Sequence, residues 1–204
     1  MLTILLYGAA RIRDFIADQD RPKPASFWLA RRLFMVLALA FPFAVFGQAA
    51  STVTLQNTKV YFSPGDGCTF NIIDVLKTAR TSILVQAYAF TSAPIAKALV
   101  DAHRRGVHVQ AILDKSNRTA NYSAADFLAH AGIETYLDAA HAIAHNKIII
   151  VDEAVVITGS FNFTKAAEER NAENVLVIRN PELAGIYTRN WKDHRRHSTL
   201  YEGR

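Results

Sequence analysis

The sequence predicts a single α/β domain in which a mixed, largely buried β-sheet is flanked by helices. Three observations predict it. From about residue 50 onward, short β-branched or apolar runs alternate with segments of helical periodicity, the pattern of a sheet covered by helices. The run IIIV at 148–151 is apolar without alternation, as a strand buried on both faces is. A chain of 204 residues, 50% of them hydrophobic, can bury one sizeable core and is too short for a large multidomain machine.

The elements follow in order. Residues 58–62 read as the first strand, and the turn cluster Ser63-Pro64-Gly65-Asp66-Gly67 leads into a helix over about 70–79. SILVQAYAF at 82–90 is a second strand. Helical periodicity at 93–105 stops at Gly106, and 107–113 is a strand. A helix at 124–131 closes at Gly132 before a short strand at 133–137. Strands at 147–151 and 155–158 are joined by a tight turn at Asp152, Glu153 and Ala154, and 174–178 is the last strand. Pro181 opens a closing helix that runs through Trp191 into the basic stretch Lys192, His194, Arg195, Arg196, His197, which reads as a solvated helix end.

Charge and cysteine content narrow the chemistry. The formal charge is +5, which favours anionic partners such as nucleic acid or an anionic lipid surface. Residues 1–50 carry six Lys/Arg against three Asp, which leaves about +2 for the remainder, so local patches must do any polyanion binding. Cys68 is the only cysteine, which excludes an intramolecular disulfide and a Cys-based zinc site.

Before residue 50 the pattern changes. Arg31 and Arg32 precede an uncharged run at 33–46 (LFMVLALAFPFAVF) and then Gly47, Ala49 and Ala50, the order of a secretory signal peptide cleaved near Ala49. The run contains Pro42 and falls short of the roughly 20 apolar residues that a transmembrane helix needs. The expectation is an amino-terminal extension and signal peptide over 1–49, a folded domain over 50–204, export to the periplasm or beyond the cell, and no stable membrane anchor after processing.

The chemistry concentrates in one stretch. His145, Lys147 and Asp152 obey the spacing H-x-K-x4-D, and strand alternation puts His145 and Lys147 on one face. Further on comes Gly159-Ser160-Phe161-Asn162, in which Ser160 and Asn162, two apart, can present a hydroxyl and an amide to one ligand. Glu173 stands just before the last strand. A nucleophile, a cation, neutral donors and a carboxylate are the parts needed to attack a phosphodiester without metal. His141 and His145 are four apart, yet no H-E-x-x-H glutamate lies between them, so zinc is not expected there.

H-x-K-x4-D followed by G-S-x-N resembles the phospholipase D superfamily. The stretch HNKIIIVDEAVVITGSFNFT at 145–164, with AENVLVI at 172–178, is similar to its short bacterial endonuclease branch (Nuc type). The resemblance covers about residues 55–195. It implies a phospholipase D-like fold, no cofactor, and a set of roles. His145 would attack phosphorus to give a phosphohistidine, Lys147 and Asn162 would bind the non-bridging oxygens, and Ser160 would support that pocket. Glu173 would hydrogen-bond the other imidazole nitrogen, as the third member of a triad does. Asp152 belongs to the motif, yet its place at a strand end suggests a structural role.

Members of the superfamily use two copies of the motif around one site, because a second imidazole must protonate the leaving oxygen and then activate water. This chain has one copy, and none of its other six histidines is followed by Lys two positions later. The expectation is therefore a homodimer with a shared site, since a twofold axis brings the same residue from each subunit together. Lys115 and Arg118, with Asn117 between them, are candidate phosphate contacts in a loop after Asp114. Phe161, Phe163 and Trp191 read as core or interface aromatics more than as stacking platforms. The expected activity is nonspecific endonuclease action on DNA and possibly RNA. The alternatives are a phospholipase D acting on phosphatidylcholine-like lipids and an inactive nucleic-acid- or membrane-binding module.

Overall fold

The computed structural model describes residues 57–121 and 123–204. The extension and signal-peptide reading of residues 1–49 lies outside the described residues. Within them the chain runs β1 (Thr58–Ser63), α1 (Cys68–Lys77), β2 (Ser82–Ala87), α2 (Ala93–Arg104), β3 (His108–Asp114), a 3-10 turn (Lys115–Arg118) and α3 (Ala124–His130). It continues through β4 (Glu134–Asp138), β5 (Lys147–Val151), β6 (Val155–Gly159), α4 (Lys165–Glu169), β7 (Glu173–Arg179), α5 (Pro181–His197) and β8 (Thr199–Tyr201).

All eight strands form one sheet in the order β1-β7-β6-β5-β2-β3-β4-β8. The central β2, β3 and β4 are parallel and every other pairing is antiparallel, so the sheet is mixed as expected. Alternation along the strands divides the core. Ile83, Val85, Val109, Ala111, Ile149, Val151 and Ile157 pack with Ile72, Leu76, Ile95, Leu99 and Leu128 of α1, α2 and α3. Leu84, Ile112, Ile148, Ile150 and Val156 pack on the other face with Ala184 and Trp191 of α5. Both faces are covered, and that is why IIIV reads as a continuous apolar run.

Local chemistry explains the boundaries. Asn180 caps α5 by accepting the Leu183 N–H at 3.0 Å, and Trp191 pins the helix to the sheet by donating its indole N–H to the Val85 carbonyl at 2.8 Å. Asp152 and Glu153 both take left-handed φ in the turn between β5 and β6, which the Ala154 N–H closes on the Val151 carbonyl at 3.0 Å. The second strand ends at Ala87, three residues before the expected 90. There the Tyr88 N–H turns to the Asn146 carbonyl at 2.8 Å, and Phe90 forms a bridge with Phe163 instead of extending the ladder. The short α4 and β8 were not anticipated, because five and three residues are too few for a periodic signal.

The basic stretch after Trp191 departs from the expected solvated end. The Arg195 guanidinium lies 3.4 Å from the Tyr136 ring centroid, and His194 and His197 turn onto Asp138 of β4. Stacking on an aromatic face and pairing with a buried carboxylate outweigh exposure here.

Candidate active site

Chain direction brings the functional residues to one end of the sheet. The parallel β2, β3 and β4 finish there, β5 begins there opposite Ala87, and Gly159 at the end of β6 pairs with Val175 near the start of β7.

Lys147 is the first residue of β5 and is 8% exposed. Its ammonium donates to the His145 carbonyl at 2.7 Å and lies 5.3 Å from the Tyr88 ring centroid. Burial pulls the Lys147 pKa below the ordinary lysine value, and the nearby Glu173 carboxylate opposes that pull. The exposed His145 ring leans on the same Tyr88 at 4.7 Å between centroids, tilted by 50°. Tyr88 thus holds the imidazole and the ammonium side by side.

The G-S-x-N segment supplies the other wall. A Cβ on Gly159 would fall on the Asn174 carbonyl oxygen, so only glycine lets β6 and β7 approach closely enough here. The Ser160 hydroxyl donates to Glu173 Oε2 at 2.6 Å and accepts from the Asn174 N–H at 3.1 Å. Asn171 donates to Glu173 Oε1 at 3.0 Å. The Asn162 Oδ1 is buried, and the Asn162 amide makes no hydrogen bond among the described residues. The buried oxygen is an acceptor, and the Asn162 NH2 is the group able to donate to a ligand.

Several expectations change. No hydrogen bond joins Glu173 to the His145 ring among the described residues; its two oxygens accept from Ser160 and Asn171. Asp152 does not reach the site, since five backbone steps of ~3.3 Å along β5 separate it from Lys147. Its carboxylate instead accepts the backbone N–H groups of Arg80, Thr81 and Ser82 at 3.0, 2.8 and 3.0 Å and the Thr81 hydroxyl at 2.8 Å. Burial alone would raise its pKa, but these bonds outweigh burial and hold it below the ordinary carboxylate value.

Lys115 donates to the His141 carbonyl at 3.0 Å, which places it against the loop leading to His145. Arg118 instead sits 6.0 Å over the Tyr201 ring. Phe161, Phe163 and Trp191 are buried, as read from sequence. Tyr88, Asn171 and Asn174 were missed, and Asn117, read with Lys115 and Arg118 as a loop phosphate contact, turns inward instead. Asn117 is buried and donates to the Tyr88 and Asp114 carbonyls, fixing the backbone beneath the site. The visible signal was a tyrosine ending an apolar strand, which is equally a sheet-edge aromatic. Beside His145 the buried Lys147 ammonium supplies the positive charge an anion needs, with Glu173 near it and Asp114 tied to the backbone of Ala144.

The profile of the cardiolipin synthase, PLD-like domain matches residues 72–195. The chain is 48% identical over 141 residues to a phospholipase D of Rickettsia bellii, covering 69% of this chain and 70% of that one. It is 34% identical over 123 residues to the mitochondrial cardiolipin hydrolase of Canis lupus familiaris, covering 60% of this chain and 48% of the relative. Its fold matches the crystal structure of Nuc, a phospholipase D family member from Salmonella typhimurium, with TM-score 0.69 and 40% identity over 72% of this chain and 98% of that one. The matched domain spans His145, Lys147, Ser160, Asn162 and Glu173, and the chain belongs to the phospholipase D family of phosphodiester hydrolases.

Proposed function

We propose that this chain is an exported, metal-independent nuclease that cleaves DNA, and RNA with it, at a site completed by a second copy of the chain. The observation that carries the reading is the meeting, at one sheet end, of an exposed imidazole, a buried ammonium and an amide without a partner. Coverage of 98% of the Nuc chain at 40% identity supports nucleic acid as the substrate.

In the proposed reaction a ring nitrogen of His145 attacks phosphorus, the P–N bond forms, and the P–O bond to the leaving alcohol breaks. That oxygen takes a proton from His145 of the partner subunit. Water then gives a proton to the same imidazole and attacks phosphorus, the P–N bond breaks, and His145 is regenerated. Lys147 and the Asn162 amide stabilise the charge on the non-bridging oxygens. Glu173, positioned by Ser160 and Asn171, balances the Lys147 charge. Lys115 offers a further phosphate contact. One motif copy per chain, with a His145 ring unpaired among the described residues, supports the shared site. The arginine pair and apolar run before residue 50 support export.

Lipid is the second reading. An apolar groove lined by Thr91, Ala93, Ala96, Ala124 and Phe127 lies at the amino ends of α2 and α3, the sheet end that also holds His145, and could take an acyl chain. The relatives named phospholipase D and cardiolipin hydrolase favour it as well.

The full chain given plasmid DNA, RNA and phosphatidylcholine vesicles separately, each with EDTA, tests the choice. Plasmid nicking that survives EDTA is expected, and lipid turnover without DNA cleavage overturns the nuclease reading. For the shared site, wild-type chain is mixed with excess His145→Asn. Activity per wild-type subunit should fall as mixed dimers form, and full retention refutes sharing.

A further inference from the structure

Away from the motif, four metal-ligating side chains converge. Asp138 ends β4 with a fully buried side chain, His141 follows in the loop that leads to His145, and His194 and His197 lie one turn apart at the end of α5. Asp138 Oδ2 is 3.0 Å from His141 Nδ1, 2.9 Å from His194 Nδ1 and 3.3 Å from His197 Nε2. The four ligand atoms lie within 4.8 Å of one another.

Four nitrogens converge on one buried carboxylate: His194 Nδ1 and His197 Nε2 on Oδ2, the Ala140 N–H on Oδ1, and His141 Nδ1 between the two oxygens at 3.0 and 3.2 Å. The three rings also stand only 4.9, 5.2 and 5.3 Å apart between centroids, a spacing at which protonated imidazoles repel.

We propose that Asp138, His141, His194 and His197 form a site for one divalent transition-metal ion, zinc by preference, that ties the loop before His145 to β4 and α5. Three imidazoles and one carboxylate are a donor set that zinc accepts in tetrahedral geometry. At Zn–ligand distances of about 2.0–2.1 Å, tetrahedral geometry puts ligand atoms ~3.4 Å apart. The three nitrogens are already about that far from Oδ2, and the widest separation must close by roughly 1.4 Å, which the part-exposed His141 and His197 rings can supply. Asp138 is ready to ligate. Its other oxygen, Oδ1, accepts the Ala140 N–H at 3.0 Å, the outer hydrogen bond that orients a ligating carboxylate.

The role is structural. All four positions are filled by protein, leaving no open coordination site for catalysis. The ligands come from three separate segments, so the ion acts as a cross-link. It fixes a loop of which the His141 carbonyl holds Lys115 and Ala144 donates to Asp114 at 2.8 Å.

The test uses tag-free, chelator-stripped full chain. Zinc content is measured by elemental analysis after dialysis, affinity by calorimetric titration, and geometry by the visible spectrum of the cobalt(II) form. One zinc per chain is expected, with an intense tetrahedral cobalt spectrum and a melting temperature about 5–11 °C higher at a hundredfold excess of zinc over Kd. His194→Gln with His197→Gln should weaken binding by more than about 100-fold, beyond the loss seen for outer-shell partners, and abolish the zinc-dependent shift. The metal-free melting temperatures of the two proteins serve as the folding control. The His145→Asn chain should bind zinc as the wild type does, so the result does not depend on catalysis. Zinc bound as tightly by the double variant, a pale octahedral cobalt spectrum, or no saturable binding would each overturn the site.

Discussion

Asp152 is the motif residue whose sequence reading and tertiary role differ most, and replacing it separates the two. From the β5–β6 turn its carboxylate accepts three backbone N–H bonds and one hydroxyl bond from Arg80, Thr81 and Ser82, where the chain enters β2. A hydrogen bond to a charged group is worth about 1.5–3 kcal/mol net. Water replaces part of what is lost at a half-buried turn, so Asp152→Ala should cost about 3 kcal/mol, below the simple sum of four bonds. For a domain of this size that lowers the melting temperature by about 6–12 °C. Catalysis should change by less than about twofold below the transition, because ~17 Å of strand separates Asp152 from Lys147.

The pH dependence has a definite sign. The Asp152 pKa is depressed in the folded chain, so its contribution is fully present above the unfolded value near ~3.9 and is lost as pH falls through the folded value. The difference in melting temperature between wild type and Asp152→Ala should therefore shrink in acid. Thermal melts from pH 3 to 8 with phosphodiesterase assays at 25 °C measure both quantities. A tenfold fall in kcat with an unchanged melting temperature would refute the structural assignment.

Two further substitutions probe the site itself. Lys147→Met should cut kcat by about 10²–10³-fold in a phosphodiesterase assay, as loss of an oxyanion-stabilising donor does, while raising the melting temperature because a buried charge is removed. In the wild type the depressed Lys147 pKa favours loss of its proton on folding, so activity should decline with rising pH before an ordinary lysine titrates, near ~10.4, while stability rises over the same window. An alkaline limb at or above that value contradicts the burial argument. Gly159→Ala should cost about 2–4 kcal/mol in denaturant unfolding and displace Ser160, since its methyl would meet the Asn174 carbonyl; wild-type stability would show that β6 and β7 can separate there.

Sequence alone determined the α/β class, most strand and helix positions, and the family, because these rest on local periodicity and on spacings within a few residues. His145 and Lys147 share a face by strand alternation, and GSFN lies close behind, so short-range geometry carried most of the site. Tertiary structure decided what depends on residues distant in sequence. Tyr88 meets His145 only because β2 and β5 pair antiparallel, and Glu173 bonds Ser160 only because β6 lies against β7. Asp152 leaves the chemistry for Arg80, Thr81 and Ser82, some seventy residues away. His194 and His197 looked like a solvated basic helix end until the fold carried α5 back to β4, where a buried aspartate and His141 await them. Such meetings follow from the path of the backbone through the sheet, which no local pattern of side chains encodes.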